Sequence, residues 1–339
     1  MKAGIVTFHT ANNYGAVLQC YALSEVLKMN GLDVGLVELP LHGRPETLRG
    51  KIRDYLSSRA FKKFRKTRLP PVVDYIDLNG PCFFGSDQVW NLDITREYYD
   101  LYMGANTPPG LKKIAYAASF GGATWSHHSK TERCSMLLSQ FYRLGIREAS
   151  GVEICKTIFR VEATQVLDPT LLLTDYSQLF KKKQLKQTMA CYIYVKDSDA
   201  ITKLRSIAQK RSISPVLLND FRFRPGIRSV PFPTVSEWLS RIEASNLVVT
   251  DSFHCMVFAI LFQKDFIVVP AIRSRVDRMV SLLTELNLRH RFFDSLELAL
   301  NSDVLEQTID YNPVLSKLEA LREKSIDFIK HSLEGVECG

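Results

Sequence analysis

The residues best placed to do chemistry follow an apolar strand in the second half of the chain. Thr250, Asp251, Ser252 and His254 come directly after Leu247–Val249, and an apolar segment of helical length begins at once. Polar groups at the carboxyl end of a strand, beside a helix N-terminus, are where α/β proteins bind ligands. The free N–H groups and the positive dipole end favour phosphate or carboxylate, and a histidine can donate a proton near neutral pH. The same residues also suit a helix cap, with the histidine filling a crevice.

Four further polar clusters occupy similar positions in the first half of the chain. Each follows or ends a short apolar segment of the strand type, and they are Asn12–Gly15, Gly85–Asp87, Ser119–Gly122 and Arg147. We expect all of them at the carboxyl ends of parallel strands, where ligands bind in open α/β sheets. Five clusters in such positions argue for a binding site more strongly than any one of them alone.

Alternating strands and helices must position these clusters. Residues 2–39 are predicted to form one strand–helix–strand unit, and a second alternation begins at Ala190. Alternation in both halves predicts an α/β protein with two Rossmann-like parallel-sheet domains that face a cleft. We place these domains at residues 1–175 and 186–310. The C-terminal segment, 311–339, is expected to form a helix that packs back across both domains.

Length and composition exclude several classes of protein. The chain has 339 residues, of which 46% are hydrophobic, and this is typical of about two globular domains. No apolar run approaches the roughly 20 residues of a membrane span, and no secretory signal is visible before the first strand, so we expect a cytoplasmic protein. Seven cysteines without a C-x-x-C pair predict buried thiols and no zinc site. The glycine motifs of dinucleotide and P-loop sites do not occur, and we predict no metal.

The positive charge of the chain is concentrated in one segment. Lys and Arg outnumber Asp and Glu by 44 to 36, and nine of these basic residues lie in segment 49–68, where only Asp54 opposes them. Apolar residues interleave at near-helical spacing, namely Ile52, Tyr55, Leu56, Phe61 and Phe64. Such a basic amphipathic helix can lie on an anionic membrane surface, or bind an acidic polymer or nucleic acid. It can equally pack on its own domain with a solvated basic face.

Six segments, in the order in which they occur here, resemble the polysaccharide pyruvyl transferase family. They are Asn12–Gln19, Phe84–Asn91, Ala115–Gly121, Ile146–Gly151, Val166–Thr170 and Val249–His254. Each motif is modest alone, and the resemblance rests on their number and order. It implies a fold like that of GT-B glycosyltransferases, with the acceptor bound by the first domain and the donor by the second.

The resemblance also implies an activity. Such enzymes transfer an enolpyruvyl unit from phosphoenolpyruvate to two hydroxyls of a sugar, which gives a cyclic pyruvate ketal and free phosphate. The acceptor is a cell-surface polysaccharide of the capsule or exopolysaccharide type, or its lipid-linked precursor. The expected partners are therefore phosphoenolpyruvate as donor substrate and a lipid-linked glycan, with peripheral contact at the cytoplasmic face of the membrane. No cofactor and no nucleic acid are expected.

Three residues are expected to have catalytic roles, and for two of them, His254 and Arg147, the resemblance implies the role. His254 matches the proposed general acid, which would protonate the methylene carbon of the donor. Arg147 matches an arginine that helps to bind the donor, in the bidentate manner of a guanidinium, although it could also form a structural pair with Glu148. Asp87 is a candidate base or hydroxyl-orienting group, and equally a loop cap.

One departure from the family affects the donor site. Many relatives carry an arginine two residues before the histidine, where this chain has Ser252, so Arg273, Arg275 or Arg278 is expected to supply that charge. The helix starts after Asn13 and Ser252 add N–H donors. The expected donor-binding residues are Asn13, Tyr14, Gly15, Ser86, Ser119, Ser252, Arg275 and Arg278.

Two other functions fit parts of this pattern. A glycosyltransferase of the same architecture with a nucleotide-sugar donor would use the cleft and basic loops for a diphosphate. A membrane- or nucleic-acid-binding protein would depend on segment 49–68 and show salt-sensitive binding without turnover. The five strand-end clusters argue against the second alternative, because a protein that only binds needs no such cleft.

Overall fold

The structure, a computed structural model, describes residues 1–40, 47–182, 187–271 and 276–334, with only the backbone described at 48 and 49. It divides into two compact units. Unit 1 comprises Met1–Lys51, Arg65–Leu173 and Leu318–Gly339, and unit 2 comprises Ile52–Phe64 and Thr174–Lys317. Compared with the predicted domains, segment 52–64 falls in unit 2, and the last helix is divided at residue 318.

Unit 1 contains a seven-stranded parallel sheet. Its strands are β1 (Lys2–Val6), β2 (Asp33–Val37), β3 (Val72–Val73), β4 (Cys82–Phe84), β5 (Lys113–Ala118), β6 (Arg143–Ile146) and β7 (Thr164–Gln165). Their order is β3-β2-β1-β4-β5-β6-β7, so the direction of strand addition reverses between β1 and β4. Such a reversal is a topological switch point, outside which α/β sheets bind their ligands.

The helices of the first half include two long ones that begin at side-chain caps. They are α1 (Tyr14–Met29), α2 (Leu48–Arg68), α3 (Leu92–Thr95), α4 (Tyr99–Tyr102), α5 (Thr131–Leu138) and α6 (Ala149–Ile154). Asn13 caps α1, because its side chain accepts a hydrogen bond from the N–H of Ala16. Thr47 caps α2 in the same way, by accepting from the N–H of Gly50.

Unit 2 contains a five-stranded parallel sheet of the same kind. Its strands are β8 (Thr188–Tyr192), β9 (Ser214–Leu218), β10 (Arg228–Val230), β11 (Leu247–Thr250) and β12 (Asp265–Val268). The order β10-β9-β8-β11-β12 places a second switch point between β8 and β11. The predicted α/β architecture with two parallel sheets is therefore confirmed.

The remaining helices follow the strands of the second sheet. They are α7 (Ser198–Lys210), α8 (Val235–Glu243), α9 (Phe253–Leu261), α10 (Asp277–Glu285), α11 (Leu296–Leu300) and α12 (Tyr311–Leu333). Apart from His254, helix α9 is apolar, and it is buried at every position except its last, as expected of a helix in the core. Its Phe258 packs edge-to-face on Trp238, with ring centroids 5.7 Å apart. No helix among the described residues is long and apolar enough to cross a membrane.

Candidate functional site

Arg147 lies at the carboxyl end of β6, in the interior of unit 1. Its side chain is only 2% exposed, and Nη1 lies 2.9 Å from Oδ2 of Asp168. Nη2 lies 3.7 Å from Oδ1 of Asp87, and Nε lies 3.8 Å from Oε2 of Glu148. Burial alone would lower the pKa of Arg147, but the three carboxylates outweigh it and raise the pKa. The guanidinium is therefore held charged by what we call the Arg147 network: Arg147, Asp87, Glu148 and Asp168.

Asp168 is the best-bound carboxylate of this network. Oδ1 accepts hydrogen bonds from the backbone N–H of Thr170 at 3.0 Å and from its hydroxyl at 2.6 Å. Oδ2 accepts from the hydroxyl of Ser86 at 3.1 Å as well as from Arg147. From the sequence, Glu148 was the expected structural partner of Arg147. The closest partner is instead Asp168, which lies in the segment Val166–Thr170 and was not predicted to contact Arg147.

The loop after β4 brings two predicted residues to this network. Ser86 is fully buried, and Asp87 follows it with a φ of 74° and accepts a hydrogen bond from the N–H of Gln88 at 2.9 Å. Gly85 precedes them with a φ of 122°, and a Cβ there would lie 2.2 Å from the carbonyl oxygen of Tyr116. Only glycine fits this approach of the loop to β5. Asp87 thus caps its own loop and also faces the Arg147 guanidinium.

The other predicted residues of unit 1 lie at neighbouring strand ends. Ser119 is fully buried after β5, and its hydroxyl accepts a hydrogen bond from the N–H of Gly121 at 3.1 Å. Asn13 is exposed at the start of α1, whereas Tyr14 and Gly15 are buried in the first turn. No described hydrogen bond or ion pair joins Ser119 or Asn13 to the Arg147 network.

Sequence reasoning missed two residues beside the loop after β1. Arg65 of α2 donates from Nε to the carbonyl oxygen of His9 at 3.1 Å. Its Nη2 lies 2.9, 2.6 and 3.0 Å from oxygens of Thr10, Ala11 and Asn12. His9 is 5% exposed, its Nδ1 lies 3.2 Å from the carbonyl oxygen of Thr7, and burial lowers its pKa. Because a carbonyl oxygen only accepts, a hydrogen bond between these atoms requires the proton on Nδ1.

His254 lies in the first turn of α9, at the switch point of the second sheet. It is 8% exposed, and its ring centroid is 5.2 Å from that of Phe253. The guanidinium of Arg278 lies over the same Phe253 ring at 5.6 Å. Arg278 thus stands near the start of α9, whereas Arg273 and Arg275 lie outside the described residues.

The turn before α9 is held by its own backbone and by Thr250. The Thr250 hydroxyl donates to the carbonyl oxygen of Tyr192 at 2.7 Å and accepts from the N–H of Ser252 at 3.0 Å. Ser252 is the N-cap residue of α9, but its side chain makes no capping hydrogen bond. The turn therefore keeps its shape without the Ser252 hydroxyl.

Asp251 stands at the same switch point with a lysine that was not predicted, and both side chains are half-buried. Oδ2 of Asp251 accepts from the N–H of Tyr194 at 2.6 Å, and burial raises the pKa of Asp251 to about 6. Lys196, after β8, donates to the carbonyl oxygen of Asn219 at 2.9 Å, and burial lowers its pKa. Lys196 and the burial of Asp251 were not predicted, because a strand-end Asp or Lys is usually solvated and burial is not visible in the sequence.

Cysteine and metal chemistry find little support in the described part of the chain. Cys255 is adjacent to His254 in sequence, but burial raises the pKa of its thiol to about 12, so the thiolate is scarce at neutral pH. Among the residues with described positions, no group of three or more His, Cys, Asp or Glu could hold a metal ion.

The sequence matches one protein family over most of its length. Residues 13–270 match the family described as polysaccharide pyruvyl transferase. Apart from Asn12, this range contains the strand-end clusters of both units. No curated protein matches the chain in sequence.

Solved structures share the fold over almost the whole chain. UGT89C1 from Arabidopsis thaliana has a TM-score of 0.54 at 13% identity, over 98% of this chain and 95% of that one. UDP-GlcNAc 2-epimerase from Methanocaldococcus jannaschii has a TM-score of 0.51 at 10% identity, over 98% and 100%. A glycosyltransferase from Rickettsia africae has a TM-score of 0.50 at 9% identity, over 98% and 99%. Identities this low show the fold alone, which is α/β and GT-B-like.

Proposed function

The chain belongs to the polysaccharide pyruvyl transferase family, and on this premise we propose that it transfers an enolpyruvyl unit from phosphoenolpyruvate to a glycan. Two sugar hydroxyls receive the unit, which gives a cyclic pyruvate ketal and free phosphate. The acceptor in this proposal is a cell-surface polysaccharide of the capsule or exopolysaccharide type, or its lipid-linked precursor. The observation that carries the proposal is the position of His254 in the first turn of α9, at the switch point of the second sheet.

In unit 2, the groups at this switch point suit an anionic donor. The first turn of α9 presents its N–H groups, with the positive end of the helix dipole. Lys196 adds a cation, and Arg278 lies over Phe253, the residue after Ser252. We propose that Arg278 supplies the charge that Ser252 lacks. Arg275 remains a second candidate for this role.

The proposed reaction needs one acid and two nucleophilic hydroxyls. His254 protonates the methylene carbon of the donor, which becomes the methyl group and leaves positive charge at C2. One sugar hydroxyl attacks C2, phosphate leaves with its bridging oxygen, and the second hydroxyl closes the ring. The two sugar hydroxyls release two protons. One replaces the proton that His254 gave to the methylene carbon, and the other leaves with phosphate. Cations near the phosphate stabilise its departure.

In unit 1, we propose that the strand-end loops bind the acceptor. Asp87 has a carboxylate that can orient a sugar hydroxyl, and Asn13 is exposed at the start of α1. Donor binding by Arg147 is also a proposal. A donor anion there has to compete with the carboxylates of the Arg147 network. The described contacts support a role for Arg147 in holding Asp87 and Asp168 in place.

The test measures phosphate release from phosphoenolpyruvate with lipid-linked acceptors that end in galactose, mannose or N-acetylhexosamine. Acceptor-dependent phosphate, with a glycan heavier by one pyruvate less one water, is the expected result. His254→Gln should lower kcat by about 10²- to 10⁴-fold, the usual contribution of a general acid. His128→Gln, at an exposed position, is the matched control and should leave kcat unchanged. Circular dichroism checks that both variants fold.

A nucleotide-sugar glycosyltransferase is the alternative outcome of this test. Acceptor-dependent transfer from a nucleotide sugar, with no phosphate released from phosphoenolpyruvate, would replace the pyruvyl transfer proposed here. Normal turnover by His254→Gln would leave the reaction in place and remove His254 as the acid.

A further inference from the structure

Helix α2 presents one continuous face of apolar and basic side chains to solvent. At 3.6 residues per turn, Ile52, Tyr55, Leu56, Arg59, Lys62, Lys63 and Lys66 fall within an arc of about 120°. Ile52, Tyr55 and Leu56 are 53%, 65% and 41% exposed, and the four cations that follow them are exposed as well. We call this set of seven residues the α2 outer face.

Residues on the opposite side of α2 are buried and hold the helix in place. Phe61 and Phe64 are 2% and 8% exposed, and Ala60 is 7% exposed. Arg65 is half-buried and bound to the loop after β1. Because these residues fix the helix, the fold does not require large apolar side chains on the α2 outer face. Large apolar side chains that share one exposed face are typical of a surface that binds a partner.

Apolar and charged residues are separated along the α2 outer face. The three apolar residues occupy its N-terminal half and the four cations its C-terminal half. Asp54, the one acidic residue of the helix, lies about 160° around the axis from Ile52. Among the ion pairs of the described residues, none involves Arg59, Lys62 or Lys66. Arg59, Lys62 and Lys66 therefore present positive charge next to an apolar surface.

We propose that the α2 outer face docks on an anionic lipid bilayer. Ile52, Tyr55 and Leu56 enter the boundary between headgroups and acyl chains, and the cations contact anionic headgroups. A polyanion such as nucleic acid would also attract the cations, but it would leave the three apolar side chains in water. The bilayer satisfies both halves of the face. This inference goes beyond the proposed reaction and does not depend on it.

The test is flotation of the full chain with lipid vesicles. We expect binding to phosphatidylcholine vesicles that contain about one-third phosphatidylglycerol, weaker binding as salt rises, and little binding to phosphatidylcholine alone. The double variant Lys62→Gln/Lys66→Gln should lower the partition coefficient roughly 25-fold, about fivefold for each cation. The double variant Lys156→Gln/Lys324→Gln removes the same charge at exposed positions outside α2. It should change the partition coefficient little.

A second pair of variants tests the apolar half. Tyr55→Ser/Leu56→Ser should lower the partition coefficient at least about tenfold, whereas Ile76→Ser, at a position 89% exposed in unit 1, should not. The proposal would be overturned if the partition coefficient fell equally in the α2 variants and in their controls. A lack of binding to anionic vesicles would also overturn it. Binding to duplex DNA or single-stranded RNA without vesicle binding would replace the membrane by a nucleic acid.

Discussion

Replacement of Arg147 by methionine should destabilise unit 1 more than any other single charge change in the Arg147 network. The side chains of Arg147 and Asp168 are 2% and 0% exposed, so this is a buried ion pair. Removing one partner of such a pair costs about 3–5 kcal/mol, because the other charge stays buried. Arg147→Met leaves three neighbouring carboxylates with no common cation, so we expect a loss near 5 kcal/mol in the free energy of unfolding.

Asp168→Asn provides the comparison within the network. It keeps an oxygen for the hydrogen bonds from Thr170, and Arg147 retains Asp87 at 3.7 Å and Glu148 at 3.8 Å. We therefore expect a loss of about 3 kcal/mol, at the lower end of the range. Each substitution removes one charge, so a count of charges alone would predict equal losses in the free energy of unfolding. The expected difference comes from the positions of the three carboxylates around Arg147.

Tryptophan fluorescence can follow unit 1 separately. Trp90 and Trp125 lie in unit 1 and Trp238 lies in unit 2, so urea unfolding in a Trp238→Phe background reports unit 1. Arg143→Met, at the exposed start of β6, is the matched control and should cost no more than about 0.5 kcal/mol. A loss at Arg147 no larger than this would refute the reasoning. If the KM for phosphoenolpyruvate rose instead, Arg147 would be assigned to donor binding.

Two further predictions concern Arg65 and Asp251, whose half-buried positions the sequence does not reveal. Arg65→Met should lower the free energy of unfolding of unit 1 by about 2 kcal/mol, since it removes charge-assisted hydrogen bonds to the loop after β1. The control is Arg68→Met, at an exposed position on the same helix, for which urea titration should show a much smaller loss. Asp251→Asn should raise the stability of unit 2 above pH 6 by up to about 3 kcal/mol, because the pKa of Asp251 rises from 3.8 to about 6 and each unit corresponds to about 1.4 kcal/mol. A carboxyl group with a raised folded-state pKa destabilises the fold as pH increases from 3.8 to about 6, so the two proteins should converge below pH 3.8; equal stability at pH 7 would contradict the burial of this carboxylate.

The sequence predicted the sheets and the strand-end positions because both depend on local patterns. Buried strands such as β8 and β11 are apolar runs, and the polar residues that follow them mark their carboxyl ends. The edge strands β3 and β10 have two and three residues, which is too short for a periodic signal. Their positions are set by pairing with β2 and β9, which no local pattern reports.

The contacts within the site were harder to predict because they join residues distant in sequence. Arg147 has its neighbour Glu148 at 3.8 Å, but its closest carboxylate is Asp168, at 2.9 Å. Arg65 belongs to a run of basic residues that looks uniformly solvated, yet it is the half-buried member that binds the loop after β1. These two arginines differ from nearby basic residues in their burial and in their contacts with distant parts of the chain. Neither property can be read from the spacing of residues in the sequence.

The hydrogen bonds of Arg65 also couple motions of two segments of unit 1. The guanidinium at the C-terminal end of α2 contacts oxygens of four successive residues, His9 to Asn12, and Asn13 then caps α1. The Arg65 end of α2 cannot shift by a few ångströms unless these bonds break or the loop moves with it. Movement of the last turn of α2 is therefore coupled to movement of the first turn of α1. A displacement of residues 65–68 would reach the carboxyl end of β1 with no change in the sheet itself.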